Sequence, residues 1–401
     1  MRFLFEDESF SFEALRAAGF ANYGGADLGE VVSTTRNIAG GDEDAWLREW
    51  TKTAERVHAI GTDALAGGHR VSAREALLRA SNYYRTAEFY RRDDPHNDPE
   101  VKRLSALSRE AFATAASLME TPVEAVRIPY DDTTLPGYLF LVDDSGAPRP
   151  TVIFTSGFDS TLEEAYFAVA AAALRRGYNV LAYDGPGQGA ALREQRLIFR
   201  PDWEAVVTPV VDYALTRPEI APAQVALMGY SLGGFLVARA AAYEHRLAAL
   251  VLDDGLYDFH DAHMRTMPPF LREWIETGRD DLANQVVSLL MDNTQMRWAL
   301  RNGMWTFGAD SPADYIRRTS AYTLEGVAQL IDCPTLILDA ENDQFFRGQP
   351  QSVNEALTCP RTLITLTEDE GAGEHCHMGA MSRFHQVAFD WLDTALAPHN
   401  H

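Results

Sequence analysis

The stretch Val225-Ala226-Leu227-Met228-Gly229-Tyr230-Ser231-Leu232-Gly233-Gly234 decides the reading of this chain. An apolar run of strand character feeds a G-x-S-x-G turn, and a helix-forming segment, Phe235 to Tyr243, lies behind it. A strand that turns so sharply into a helix forces the central residue into a strained conformation, and small residues must flank it. Gly229 and Gly233 supply that clearance, because a Cβ at either place would collide across the turn. A glycine-rich turn with an idle serine is the bland alternative. At a strand-to-helix junction in a chain of alternating strands and helices, the pattern instead marks Ser231 as a nucleophile.

A serine hydroxyl needs a base to take its proton and a carboxylate to orient that base. With a nucleophile on such a turn, the partners follow in the order Ser, acid, His. The acid belongs just past the next-to-last strand, Thr335-Leu336-Ile337-Leu338-Asp339, where Ala340-Glu341-Asn342-Asp343-Gln344 forms the turn. Asp343 is the choice, with Asp339 and Glu341 close by. After the last strand, Thr362 to Leu366, comes the glycine-rich loop Glu370 to Gly379, which carries both His375 and His377. Spacing does not choose between the two, whereas His385 falls inside a helical pattern (Ala380 to Leu396) and reads as structural. The oxyanion formed on attack needs two donors: the Leu232 amide, and one from the loop after the strand Thr151 to Thr155. In that loop, Ser156-Gly157-Phe158-Asp159-Ser160, Gly157 permits close approach and the Phe158 N–H is the expected donor.

Around this centre the texture of the chain changes twice. Residues 1–121 are helical in pattern: Asp42-Glu43-Asp44-Ala45-Trp46 opens one helix with acidic residues in its first turn. Ser72-Ala73-Arg74-Glu75 reads as a capping box for the next, through Ala76 to Tyr90, and a third runs from Pro99 to Met119. From Val123 the period becomes that of strands, at 123–128, 137–142, 151–155, 179–183, 225–229, 248–253, 335–339 and 362–366. The first two pair as a hairpin across Asp131-Asp132-Thr133-Thr134; helical stretches separate the later ones, as right-handed parallel crossovers require. This order matches an α/β-hydrolase fold with an eight-stranded, mostly parallel sheet. The expected division is an N-terminal helical region (1–121) packing over cap and pocket, a core (122–254 and 331–401) and a helical cap (255–330). In the cap, Met264 to Leu271, Leu282 to Met291 and Pro312 to Arg318 read as short helices.

Composition agrees with an enzyme in solution. At 401 residues the chain can hold one large domain plus an insertion or a second small domain. No apolar run reaches about 18 residues, and the N-terminus lacks a basic start followed by an apolar core, so neither a membrane span nor a secretory signal is expected. Three cysteines (Cys333, Cys359, Cys376) suit a reducing cytoplasm rather than a disulfide framework. A net charge of −23 disfavours nucleic acid and anionic membranes, leaving a small-molecule substrate and a second copy of the chain as candidate partners.

The sequence resembles the α/β-hydrolase branch that contains bacterial 2,6-dihydroxypseudooxynicotine hydrolase and the polyketide-shortening hydrolases of fungal melanin and bacterial anthraquinone pathways. The resemblance runs through Ala21-Asn22-Tyr23-Gly24-Gly25-Ala26, Ala45-Trp46 to Trp50, and Gly68 to Arg85. It continues through Gly157-Phe158-Asp159, Asp184 to Gly189, Arg200 to Glu204, the serine turn and Glu374-His375-Cys376. The helical segment is its most diagnostic part, since generic esterases do not carry it. The resemblance implies a triad of Ser231, Asp343 and His375, and cleavage of a carbon–carbon bond next to a ketone. It also implies that His377 is a neighbour at a helix start. The nicotine-pathway enzyme uses an extra acidic residue after the strand that follows the serine turn, a place held here by Asp253, Asp254 and Asp258.

Other features yield blander readings. Gly185-x-Gly187-x-Gly189 lacks the layout of dinucleotide binding and reads as a tight turn. Cys376, beside the base, reads as a packing residue because the serine already supplies a nucleophile. His260 and His263 with Asp258 and Asp261 have ligand-like spacing, yet a polar cap segment explains them better, and neither metal nor cofactor is expected. In Arg200-Pro201-Asp202-Trp203-Glu204, Asp202 is expected to cap a helix and Trp203 to pack beneath it. Gly157, Tyr230, Asn82, Tyr83, Asp254 and His260 are candidate substrate contacts. The expectation is a serine hydrolase cleaving a carbon–carbon bond of an aromatic or polyketide-like ketone. A carboxylesterase is the competing reading, and a non-catalytic binding protein of the same fold a third.

Overall fold

The computed structural model describes residues 1–265 and 267–397. Eight strands form one sheet: β1 Val123–Tyr130, β2 Thr133–Phe140, β3 Arg149–Thr155, β4 Asn179–Tyr183, β5 Ile220–Tyr230, β6 Ala249–Asp253, β7 Thr335–Ala340 and β8 Arg361–Leu366. Their spatial order is β1-β2-β4-β3-β5-β6-β7-β8. β2 runs antiparallel to β1 and β4, and the others are parallel. β3 to β7 alternate little between apolar and polar because helices cover both faces, so each strand is buried on two sides. The hairpin closes on the pair Tyr130–Thr133, so Asp131 and Asp132 make the turn, Asp131 with φ 44°.

Five helices precede the sheet: α1 Glu8–Gly19, α2 Leu28–Thr35, α3 Glu43–Ala66, α4 Arg70–Glu88 and α5 Pro99–Ala116. Asp7, Asp27, Asp42 and Asp98 each cap a helix by accepting from a backbone amide of its first turn. Ser72 caps nothing, contrary to the capping box expected from the sequence. Gly68 (φ 79°) turns the chain back so tightly that α4 is already helical at Arg70, leaving Ser72 inside the first turn. Asp202 is likewise not a helix cap: its carboxylate holds Arg200 through two bonds of 2.8 and 2.7 Å, and the helix Glu204–Leu215 begins without a side-chain cap. Trp203 does pack fully buried beneath it, its Nε1–H reaching the Tyr183 hydroxyl at 3.3 Å.

The sheet divides the core in two. On one side the aromatic residues of α1, α3 and α4 join Tyr138, Phe140 and Phe154 and the C-terminal helix Met381–Ala395. On the other lie the helices Glu204–Leu215 and Leu232–Ala241 with most of the cap. Within the cap, the helix expected from Met264 to Leu271 is two helices, Phe259–Met264 and Pro269–Glu276, since Pro268 cannot continue the first. A helix the sequence reading omitted, Thr294–Phe307, carries the contacts to the N-terminal region. Its Trp298 stacks on Phe89 at 4.4 Å, its Arg297 pairs with Glu43 and its Asn302 accepts from Arg92. Among the described residues, no helix is long and apolar enough to cross a membrane.

Trp46 anchors the helical region. It is fully buried among Phe5, Phe10, Trp50 and Tyr90, and its indole N–H donates to the Thr86 carbonyl at 2.7 Å. Trp46→Ala removes this packing and the shorter of the two bonds to the Thr86 carbonyl, which keeps the Phe89 amide at 3.4 Å, so it should cost about 3–5 kcal/mol in denaturant unfolding. A loss under about 1 kcal/mol would contradict the packing described here.

Candidate active site

The ends of four parallel strands converge on one point, as expected for ligand sites at the carboxyl edge of such a sheet. Ser231 follows β5, Asp254 follows β6, Asp343 follows β7 and His375 follows β8. Ser231 stands at φ 59°, ψ −127°, a conformation hostile to a side-chain-bearing residue, and immediately precedes the helix Leu232–Ala241 without its hydroxyl capping it. The neighbourhood leaves no other option. A Cβ at Gly229 would lie 2.2 Å from the Gly233 carbonyl oxygen, and one at Gly234 would lie 1.9 Å from that of Asp254. Gly157 packs on the same turn, where a Cβ would sit 2.8 Å from the Ser231 Cβ and 3.2 Å from the Leu232 nitrogen.

The His375 Nε2 and the Ser231 Oγ are 2.9 Å apart, and the ring's Nδ1 lies 2.9 Å from Asp343 Oδ2. Asp339 is bonded elsewhere, to Gln351 and Thr365, and Glu341 accepts from the Glu368 amide. Asp343 also accepts from the amides of Phe345 and Phe346 at 2.7 and 3.2 Å. A second carboxylate meets the same ring nitrogen: Asp254 Oδ2 is 2.8 Å from His375 Nδ1 and also accepts from the Cys376 amide at 3.3 Å.

These groups titrate in opposite directions. Burial pushes the Asp254 carboxyl up to about 7, and the nearby charge of Asp343 adds to the rise. Burial alone would raise Asp343 too, but His375 outweighs it by charge and hydrogen bond and brings it down to about 2. For His375, burial favours the neutral ring; Cys376, Asp343 and Asp254 outweigh it and hold the imidazole well above its ordinary value. The charges around the ring therefore favour its imidazolium form over the neutral one.

His377 is fully buried one layer below. Its Nδ1 faces the Ala372 carbonyl at 2.8 Å, its Nε2 lies 3.1 Å from Asp253, and the Asp253 charge overcomes burial to raise it to about 9. Cys376 is buried, its sulfur 3.5 Å from His375 Nε2, and burial pushes its thiol well up. Donor atoms of Asp254, His375 and Cys376, and of Asp253, Asp254 and His377, cluster within 4.8 Å in each set. His375 is turned on Ser231, Asp343 and Asp254, and His377 on Asp253, so the ring nitrogens of both sets already have side-chain partners.

Several sequence candidates lie away from this point. Asn82 is buried and donates to the carbonyls of Ala17 and Gly25, joining α1 and α4 rather than meeting a substrate. Tyr83 is likewise buried, its hydroxyl donating to Glu30. Tyr230 points behind the site: its hydroxyl donates to the Cys376 carbonyl at 3.0 Å, and its ring packs on Phe154 and Phe384. His260 Nδ1 is held by the Ile316 carbonyl and the Thr319 hydroxyl, a cap-internal role. His385 bridges Tyr23 and the Ala168 carbonyl.

Other residues come forward that no spacing announced. Phe12 of α1, Phe345 and Phe346 surround the His375 ring at 6.2, 4.9 and 5.3 Å. Phe158 faces Phe259, Trp298, Phe307 and Tyr315 of the cap. Gln188, inside the glycine motif, donates to the carbonyls of Ser156 and Gly157 and holds that loop against the serine.

The chain belongs to the alpha/beta hydrolase family, whose model matches residues 152–388; an esterase FrsA-like model matches residues 32–260. It is 38% identical over 421 residues to the 20-hydroxy-prefusarin hydrolase FUS2 of Gibberella moniliformis, covering 99% of both chains. It is 36% identical over 416 residues to the hydrolase acrC of Aspergillus aculeatus, covering 97% of both. Among solved structures, 2,6-dihydroxy-pseudo-oxynicotine hydrolase superposes with a TM-score of 0.76 at 24% identity, over 95% of this chain and 96% of that one. That likeness establishes the fold. The chain is a hydrolase of this family.

The pair Asp254–His375 gives a pH test. The folded-state value of Asp254, about 7, lies above the ordinary aspartate value near 3.9. The folded state therefore holds that proton more tightly, and the wild type loses stability from this group as pH rises from about 4 through 7. Asp254→Asn does not titrate there. The stability of the wild type relative to Asp254→Asn should fall between pH 5 and pH 8 in urea unfolding, and a difference that stays flat or grows would refute the assignment.

Proposed function

We propose that this chain is a serine hydrolase in which Ser231, His375 and Asp343 act as a triad. The proposed reaction is cleavage of the carbon–carbon bond next to a ketone in an aromatic or polyketide-like substrate. The observation that carries the reading is the unbroken chain of short contacts from Ser231 Oγ through the His375 ring to Asp343. In the proposed reaction His375 Nε2 takes the Ser231 proton as Oγ bonds to the ketone carbon. The amides of Leu232 and Phe158 are the proposed holders of the resulting oxyanion. Collapse breaks the carbon–carbon bond, and the electron pair leaves on a carbon made acidic by a second carbonyl or a phenol ring. His375 returns its proton to that carbon. Water, activated by the same ring, then hydrolyses the acyl-serine to a carboxylic acid and restores Ser231.

The helical region (1–121) and the cap (255–330) are the proposed walls of the substrate pocket. Support comes from Phe12 and Phe158, aromatic side chains suited to a flat, conjugated substrate. A carboxylesterase is the second reading, favoured by the match to the esterase model. It uses the same machinery with an alkoxide as the leaving group.

The deciding experiment incubates the protein with β-diketones, acylphenols and aryl esters and identifies products by mass spectrometry. Ser231→Ala should retain the fold and lose more than about a hundredfold in rate. A carboxylic acid plus a ketone from the β-diketones, or an acid plus the free phenol from the acylphenols, supports carbon–carbon cleavage. Turnover of esters alone would replace it by the esterase reading, and a fully active Ser231→Ala would remove the triad.

A further inference from the structure

We infer that Arg16, on the first helix, is a positioning residue for the loop that carries the Phe158 amide, acting through Asp159. This rests on the proposed role of Ser231 and the Phe158 amide.

The loop Ser156–Ser160 carries no repeating backbone ladder, so its position depends on what grips it. Gln188 takes the Ser156 and Gly157 carbonyls, and Asn302 of the cap donates to the Phe158 carbonyl at 3.2 Å. The third grip comes from outside the hydrolase core. Arg16 Nη1 reaches Asp159 Oδ2 at 3.0 Å, its Nη2 reaches the Ser160 hydroxyl at 3.3 Å, and its Nε reaches Glu164 at 3.1 Å. One guanidinium thus spans the two residues after Phe158 and the carboxylate that accepts from the Thr161 amide just beyond them.

Arg16 is itself fixed from behind. Glu13, one turn back, lies 3.7 Å from it, and Arg85 of α4 bonds both Glu13 and Glu164 at 3.0 Å while standing 3.7 Å from Asp159. All of these side chains are buried or nearly so, with Asp159 the most exposed at 16%. Taking so many ionic groups out of water is costly, and a well-packed apolar cluster of equal volume would serve stability as well or better. What apolar packing does not supply is direction. A guanidinium fork fixes its partner's distance and angle together. Directed fixing matters one residue from a donor that must meet an oxyanion at about 3 Å.

α1 meets the site on the same face. Phe12, four residues before Arg16, packs on the His375 ring. The first helix therefore touches both the base and the oxyanion loop, which explains why the core is joined to a helical region that generic sheets of this kind do not need.

The full-length protein with Arg16→Met, Arg16→Lys or Asp159→Asn tests this. The readouts are the labelling rate of Ser231 by an alkyl fluorophosphonate, which needs no cognate substrate, and kcat and KM on a 4-nitrophenyl ester. Arg16→Met should lower the labelling rate and kcat together by about 10- to 100-fold, with KM within about twofold, and Arg16→Lys should recover part of the loss. Asp159→Asn, nearly isosteric, should show the same split and carries the test if Arg16→Met does not fold. A folded variant with wild-type labelling and kcat overturns the inference, as does a raised KM at unchanged kcat, which would make Arg16 a substrate contact. Failure of the serine reading is separate: it would appear as a wild type that no fluorophosphonate labels at Ser231.

Discussion

The backbone at Ser231 is held at φ 59°, where only glycine is at ease, and much else follows from that. Such a conformation persists when its surroundings over-determine it. Here β5, the helix Leu232–Ala241, the Gly157 loop and the Asp254 carbonyl all press on the turn closely enough to forbid a Cβ at Gly157, Gly229, Gly233 or Gly234. The crowding lifts the hydroxyl out of the strand edge toward His375. It also sets the Leu232 amide at the start of a helix, where an unsatisfied N–H is available to an anion.

Around this turn the site is built by competition for a single ring nitrogen. Asp343 and Asp254 both reach His375 Nδ1, yet their environments differ. Asp343 has two backbone amides besides the ring and stays ionised; Asp254, fully buried beside another carboxylate, is pushed toward its neutral form. Two carboxyls with separated proton affinities thus meet on one imidazole, and the three groups titrate as a coupled set.

The helical region before the sheet is part of the same physical unit. Its aromatic cluster packs around Trp46, and its polar contacts run to the loop Ser156–Ser160 and to the cap helix Thr294–Phe307. A body bonded to both the loop and the cap helix constrains the distance between them.

Much of this was readable along the chain. The eight strands, their hairpin, the serine turn and the acid after β7 follow from local rules of period, turn chemistry and order. They survive because the central strands β3 to β7 are buried on both faces and have little choice, while β1 keeps a plain alternation of exposed and buried residues. Local rules failed where a neighbour competed for the same group. Asp202 gave its carboxylate to Arg200 rather than to a helix end, and Asn82 and Tyr83 gave their polar groups to α1 and Glu30. Tyr230 turned its ring behind the serine because alternate residues of a strand face opposite sides. Sequence alone determined which residues could be nucleophile, acid and base, since each is tied to the end of its own strand. Only the tertiary structure decided that Asp254 shares the histidine, that Phe12 lies against it and that Arg16 grips the loop Ser156–Ser160. Those contacts join segments up to hundreds of residues apart, and no local spacing encodes them.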